Sequence, residues 1–202
     1  MRIGVLGTGV VGRTIATKLR ELGHDVLIGS RTAGDDAVPF AEVATHGELL
    51  FNCTAGTASL EALGAAGLDN LAGKILVDVS NSLDFSRGRP PTLAVCNDDS
   101  VGEQIQRAFP ETKVVKALNT VNAAVMVSPD LVPGEHAVFV CGNDDDAKSE
   151  VRELLQSFGW PASGIIDLGD IPAARGPEMY IALWLRLMGA VGTPSFNINV
   201  VR

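Results

Sequence analysis

The stretch that decides the fold is Met1-Arg2-Ile3-Gly4-Val5-Leu6-Gly7, followed at once by Thr8-Gly9-Val10-Val11-Gly12. A short apolar run that stops at glycine reads as a buried strand. Val10–Leu22 then places Val11, Ile15, Ala16, Leu19 and Leu22 at helical spacing, and Gly23 closes that helix. His24–Gly29 reads as a second buried strand. The result is a strand–helix–strand unit of roughly thirty residues, the length a parallel crossover requires.

In that context the glycines at 7, 9 and 12 acquire a physical meaning. Gly7 permits a tight turn, Gly9 lets the backbone approach a pyrophosphate, and Gly12 allows helix and strand to pack closely. Unpaired amides at the helix start face the phosphates. The end of the second strand selects the dinucleotide. A carboxylate there would hold the two ribose hydroxyls of NAD. This chain has Gly29-Ser30-Arg31-Thr32 instead, with Asp35 and Asp36 in the irregular loop beyond. Guanidinium and hydroxyl donors fit a 2′-phosphate, so the expected cofactor is NADP(H).

Working outward, Thr32–Thr45 is polar and rich in breakers, and reads as the least structured part of the first half. Further strands are expected at Leu49–Thr54, Lys74–Val79, Lys113–Ala117 and His136–Cys141, with a short one at Ile165–Leu168. Helices are expected at Thr57–Ala66, Val101–Ala108, Ala147–Phe158 and Glu178–Met188. The acidic turn Asn143-Asp144-Asp145-Asp146 suits a helix N-terminus. Asp84–Pro91 reads as a loop with two arginines and two prolines, and Phe196–Val201 as a terminal strand or extended tail. Strands alternating with helices give an α/β chain: a Rossmann-type doubly wound, mostly parallel sheet with a short C-terminal helical/extended extension. Residues 1–142 form the dinucleotide-binding domain. Residues 143–202 are expected to pack on it, on the side of a second cofactor or a dimer contact, rather than fold independently.

Composition narrows the function classes. A formal charge of −8 argues against an electrostatic nucleic-acid binder. Cys53, Cys96 and Cys141 are widely separated, which fits reduced thiols. His24, His46 and His136 lack metal-ligand spacing, so no metal site is expected. The apolar stretch from Met179 to Val191 is interrupted by Arg186 and is too short to span a bilayer. The N-terminus runs straight into a strand. A cytoplasmic protein without a membrane or nucleic-acid partner is the expectation.

Several segments together resemble a known family, the NADP oxidoreductases dependent on the deazaflavin coenzyme F420. They are Gly7–Gly12, Gly29-Ser30-Arg31, Asp78-Val79-Ser80-Asn81, Lys116-Ala117-Leu118-Asn119-Thr120, Cys141-Gly142-Asn143-Asp144 and Asp167-Leu168-Gly169. The same fold resembles the cytosolic domain of the six-transmembrane ferric and cupric reductases. The resemblance implies that Thr8, Gly9, Val10 and Val11 contact the pyrophosphate, and Ser30, Arg31 and Thr32 the 2′-phosphate. It puts Thr54 and Ala55 on the path from adenosine to pyrophosphate, and Asn81, Asn119 and Thr120 near the nicotinamide.

Strand-end logic puts the chemistry in the same region, since ligands of open parallel sheets bind beyond the carboxyl ends of the strands. Asn119 and Thr120 are expected to position rings, with no acid or base supplied. Lys116 lies within a strand and only flanks the site. The expected reaction is hydride transfer between NADP(H) and a small-molecule acceptor or donor: coenzyme F420, FMN or FAD. Imine or keto reduction is a second enzyme class, and an NADP-binding sensor or assembly protein is a third reading. The helix Glu178–Met188 carries Tyr180, Leu183, Trp184, Leu187 and Met188 on all sides. It therefore reads as buried, in the core or in a homodimer contact.

Overall fold

A computed structural model describes residues 1–32, 34 and 37–201; Asp35 and Asp36 of the sequence reading lie outside that set. The elements run β1 (Arg2–Leu6), α1 (Val10–Glu21), β2 (Asp25–Ser30), β3 (Val38–Pro39), α2 (Phe40–His46) and β4 (Leu49–Asn52). The chain continues through α3 (Ser59–Ala66), α4 (Leu68–Leu71), β5 (Ile75–Asp78), β6 (Leu83–Asp84), β7 (Thr92–Leu93) and α5 (Val101–Ala108). It ends with β8 (Lys113–Ala117), α6 (Ala123–Val127), β9 (Val138–Gly142), α7 (Asp145–Ser157), β10 (Ile165–Asp167) and α8 (Arg175–Val191).

Eight strands form one sheet in the order β10-β9-β8-β5-β4-β1-β2-β3. Every neighbouring pair is parallel except β8 with β9. From β1 the chain winds out to β3, then returns to the other side of β1 to build β4, β5 and β8. The reversal between β1 and β4 is the topological switch point, where strand ends splay apart and leave a crevice for a ligand.

The two faces of the sheet carry separate apolar cores. One joins Ile15, Val125, Val151 and Leu155 from α1, α6 and α7 to Val5, Phe51 and Val77 of the strands. The other joins Phe40, Leu63, Ile105 and Ala174 to Leu6, Leu50 and Leu76. Alternation along each strand therefore sends odd and even residues to different helical layers.

Two local expectations need correction. The stretch read as least structured contains α2, because Phe40, Val43 and Ala44 share one face and bury it on the sheet. The flanking Pro39 and Gly47 hid that short apolar stripe. The loop expected up to Pro91 is found after Asp84, and β6 and β7 at its two ends pair as an antiparallel arm. Helix α8 is not buried all round. Pro177, Glu178, Ile181 and Trp184 face the protein, whereas Met179, Leu183 and Val191 are exposed. Trp184 stacks on Phe196 of the C-terminal tail, 5.4 Å between ring centres. Among the described residues, no helix is long and apolar enough to cross a membrane.

Candidate functional site

The glycine loop joins β1 to α1 in the conformation its residues demand. Gly7 has φ of +120°, and a Cβ there would lie 2.7 Å from the Cys53 carbonyl oxygen. At Gly12 a Cβ would come within 2.0 Å of the Gly7 oxygen, so helix and loop touch backbone to backbone. At Gly9 nothing among the described residues lies within 4 Å of that position, which leaves this side of the loop open among them. Gly9 is also the N-cap of α1, with no side chain capping the helix and no acidic residue in its first turn. The first amides and the positive end of the helix dipole therefore face open space, a setting that favours a phosphate.

A cavity of about 280 Å³ lies against this loop, lined by Gly7, Thr8, Gly9, Ser30, Arg31, Thr54 and Ala55. Phe40, Cys53, Ala58, Glu61 and Ala62 complete its wall, and sequence reasoning singled out none of the five for this role. Val11 packs against the core and Gly12 is buried, whereas Val10 and Thr32 are exposed. The Ser30 hydroxyl donates to the Thr32 carbonyl, which fixes the turn that presents Arg31. Phosphate-facing amides and a guanidinium in one cleft fit the phosphate groups of an adenine dinucleotide carrying a 2′-phosphate. A larger cavity of about 690 Å³ opens at the start of β9 and β10, near His136, Gly164 and Asn199. It is lined by none of the residues that the sequence placed at the dinucleotide site.

Asn81, Asn119 and Thr120 gather beyond the ends of β5 and β8. Asn119 Nδ2 donates to Asn81 Oδ1 at 3.0 Å, and Asn81 Nδ2 donates to the Asn119 carbonyl at 2.9 Å. The Gly56 amide donates to the Asn81 carbonyl at 3.0 Å, which ties this pair to Ala55 and hence to the first cavity. A Cβ on Gly56 would stand 2.5 Å from that carbonyl, so only glycine permits the approach. Leu118 has φ of +62°, a left-handed conformation that costs about 1–2 kcal/mol in a residue other than glycine. It turns the chain out of β8 so that Asn119 follows at once. The Thr120 hydroxyl oxygen is buried and has no hydrogen-bond partner among the described residues. Such a group is costly unless something else satisfies it, and a carboxamide is suitable.

Beneath these loops lies a polar row that the sequence reading did not assemble. Register aligns Leu6 with Asn52, Asn52 with Asp78, Asp78 with Lys116, and Lys116 with Cys141. Asn52 Nδ2 donates to Asp78 Oδ1 at 2.8 Å and to Ser59 Oγ at 2.9 Å. Thr54 Oγ1 donates to Asn52 Oδ1 at 2.7 Å, so the row reaches the cavity wall. Lys116 Nζ lies 2.7 Å from Asp78 Oδ2 and 2.8 Å from Glu178 Oε1 of α8. Burial opposes the charge on Lys116, yet the facing carboxylates of Asp78 and Glu178 hold its pKa above the ordinary lysine value. Removing one member of such a buried ion set typically costs about 3–5 kcal/mol. The available signal was a polar residue at or next to the carboxyl end of each apolar strand: Asn52, Asp78 and Lys116. Of the two thiols nearby, Cys141 is buried and Cys53 half-buried in the cavity wall, and both are held in the protonated form. Burial pushes Cys141 up to about 12 and Cys53 well above the usual thiol range.

This fold and cleft define a class, the NADP-dependent oxidoreductases built on a doubly wound dinucleotide-binding sheet. Residues 2–82 match the family described as NADP oxidoreductase, coenzyme F420-dependent. A crystal structure of a candidate F420-dependent NADP reductase from Arthrobacter sp. FB24 is 52% identical, with a TM-score of 0.95 and all of both chains covered. The F420-dependent NADP reductase of Methanocaldococcus jannaschii is 35% identical over 120 residues, which are 59% of this chain and 52% of that protein. The rat metalloreductase STEAP3 is 31% identical over 203 residues, 96% of this chain. The present chain thus spans 38% of the length of that metalloreductase. The protein belongs to the F420-dependent NADP oxidoreductase family.

Proposed function

We propose that this enzyme transfers hydride between NADP(H) and a deazaflavin of the coenzyme F420 type, or a flavin such as FMN or FAD. The observation that carries this reading is the continuous edge from the glycine loop to the Asn81–Asn119 pair, with Gly56 linking its two halves. The nicotinamide supplies the hydride chemistry from its C4 position, and the protein's share is binding and orientation.

In this reading the amides after Gly9 bind the pyrophosphate, while Ser30, Arg31 and Thr32 bind the 2′-phosphate. Thr54 and Ala55 line the path between them. The interlocked Asn81 and Asn119 hold the carboxamide edge, and the Thr120 hydroxyl gains the partner it otherwise lacks. Lys116 has its charge taken up by Asp78 and Glu178, so it does not act as a proton donor. Holding two rings in near-attack geometry is then the main source of rate. The test is NADPH oxidation against coenzyme F420, FMN and FAD. Turnover with coenzyme F420 bears the reading out, and failure with all three favours an NADP-binding sensor. The exposed stripe of Met179, Leu183 and Val191 on α8 is, in the same reading, covered by a second copy of the chain.

A further inference from the structure

Lys116 is 1% exposed, and its ammonium meets three oxygens: Asp78 Oδ2 at 2.7 Å, Glu178 Oε1 at 2.8 Å and the Ser80 carbonyl at 2.6 Å. An ammonium has three N–H donors, so all are committed and none is left for a substrate. The partners come from separate parts of the chain. Asp78 ends β5 and also accepts from the Ser80 hydroxyl at 2.8 Å and the Ser80 amide at 3.2 Å. Glu178 arrives from α8 and accepts the Val101 and Gly102 amides at 2.8 and 3.0 Å, at the N-terminus of α5.

On stability grounds a well-packed apolar set would serve as well as these buried charges. An apolar set could not, however, fix the Ser80 carbonyl. That carbonyl lies one peptide before Asn81, whose side chain interlocks with Asn119 and whose own carbonyl receives the Gly56 amide. We propose that Asp78, Lys116 and Glu178 form a positioning unit that holds the Ser80–Asn81 turn, and through it the Asn81–Asn119 pair, in register for hydride transfer. The C-terminal helix α8 thereby becomes part of the working site through Glu178. The inference rests on the proposed role of Asn81 and Asn119 at the nicotinamide.

Glu178→Gln, made in the full chain, keeps the side-chain shape and weakens the hold on Lys116. Backbone amide exchange gives a readout without turnover, because the Gly56 amide reports on the Asn81 carbonyl it binds. Exchange at Gly56 is expected to quicken at least about tenfold, as local opening there becomes easier. With coenzyme F420 or FMN as acceptor, kcat is expected to fall about ten- to a hundredfold. NADPH affinity should stay within about twofold, a change equivalent to about 0.4 kcal/mol. The isotope effect with NADPH dideuterated at C4 should rise as the chemical step becomes limiting.

Exchange changes confined to α5 and α8, with unchanged kcat, would overturn the proposal and leave Glu178 as a structural anchor. Should Glu178→Gln fail to fold, the triple variant Asp78→Asn, Lys116→Met, Glu178→Gln removes all three charges and leaves no unpaired ion. The Ser80 anchor is lost in that triple variant as well, so wild-type exchange at Gly56 would be equally contradictory. If Gly56 responds as expected but Asn119→Ala leaves kcat unchanged, the positioning unit stands and the assignment of the hydride site falls.

Discussion

The side chains of Asn81 and Asn119 hold one another across the ends of two neighbouring strands, Asn119 Nδ2 donating to Asn81 Oδ1 at 3.0 Å. The return bond from Asn81 Nδ2 goes to the Asn119 carbonyl at 2.9 Å. Neither side chain can supply a proton near neutral pH, so their contribution is placement. Asn119→Ala is expected to lower kcat about ten- to a hundredfold while NADPH binding stays nearly intact. Titration of NADPH beside steady-state kinetics separates the two. A parallel loss of affinity would move Asn119 from ring placement to general cofactor binding.

Arg31 bears on the choice of dinucleotide. It stands exposed at the end of β2, in the wall of the dinucleotide cavity, where an NAD enzyme would carry a carboxylate. Losing one charge-assisted phosphate contact costs about 1.5–3 kcal/mol, or about ten- to a hundredfold in affinity. Arg31→Ala should therefore weaken NADPH by that factor and NADH hardly at all. Equal losses for the two cofactors would remove Arg31 from the 2′-phosphate site.

The glycine loop, the crossover unit and the apolar strands were legible in the sequence because each obeys a local rule. Gly7, Gly9 and Gly12 follow a strand and open a helix, the context in which their spacing points to a phosphate turn. The strands read as short apolar runs because both faces of the sheet are covered. Helix α2 was not legible, since the three buried residues Phe40, Val43 and Ala44 between Pro39 and Gly47 make too short a pattern. The burial of α8 was overstated, because an apolar helix can rest on one face and leave Met179 and Leu183 outside. The polar row from Asn52 to Lys116 depends on strand register, and register across three strands is a tertiary fact. Lys116 on its own looked like a flanking residue; Glu178, distant in sequence, gives it a role.

Acid stability follows from an ion pair that joins the segment before α5 to the last turn of that helix. Arg107 donates to Asp99 at 3.0 and 2.7 Å, and these bonds, with help from Gln104, pull the Asp99 carboxyl down to about 2. An unfolded aspartate titrates near about 3.9. The folded state therefore binds its proton later, and the stabilisation is present above about pH 4 and lost as pH falls toward about 2. The difference in melting temperature between wild type and Asp99→Asn should be constant at neutral pH and shrink across that window. A difference that persists unchanged at about pH 2 would contradict this assignment.

The exposed face of α8 predicts assembly. Met179 and Leu183 lie four apart on one side of the helix and are 38% and 54% exposed. A second copy covering that stripe gives a dimer, measurable by light scattering at micromolar concentration. Leu183→Glu should then shift the mass to the monomer. A wild-type monomer under the same conditions would remove the dimer from the account.

The proposed reaction is direct transfer of hydride from NADPH to a deazaflavin ring held beside it. The most direct measurement uses NADPH dideuterated at C4 with coenzyme F420 as acceptor, and reads the reduced deazaflavin by mass spectrometry. Hydrogen delivered to ring carbon does not wash out into water, so the label records its source. The account predicts one deuterium per reduced ring in wild type, with slower labelling in Asn119→Ala. Reduced deazaflavin without label in ordinary water, or no reduction at all, would contradict it.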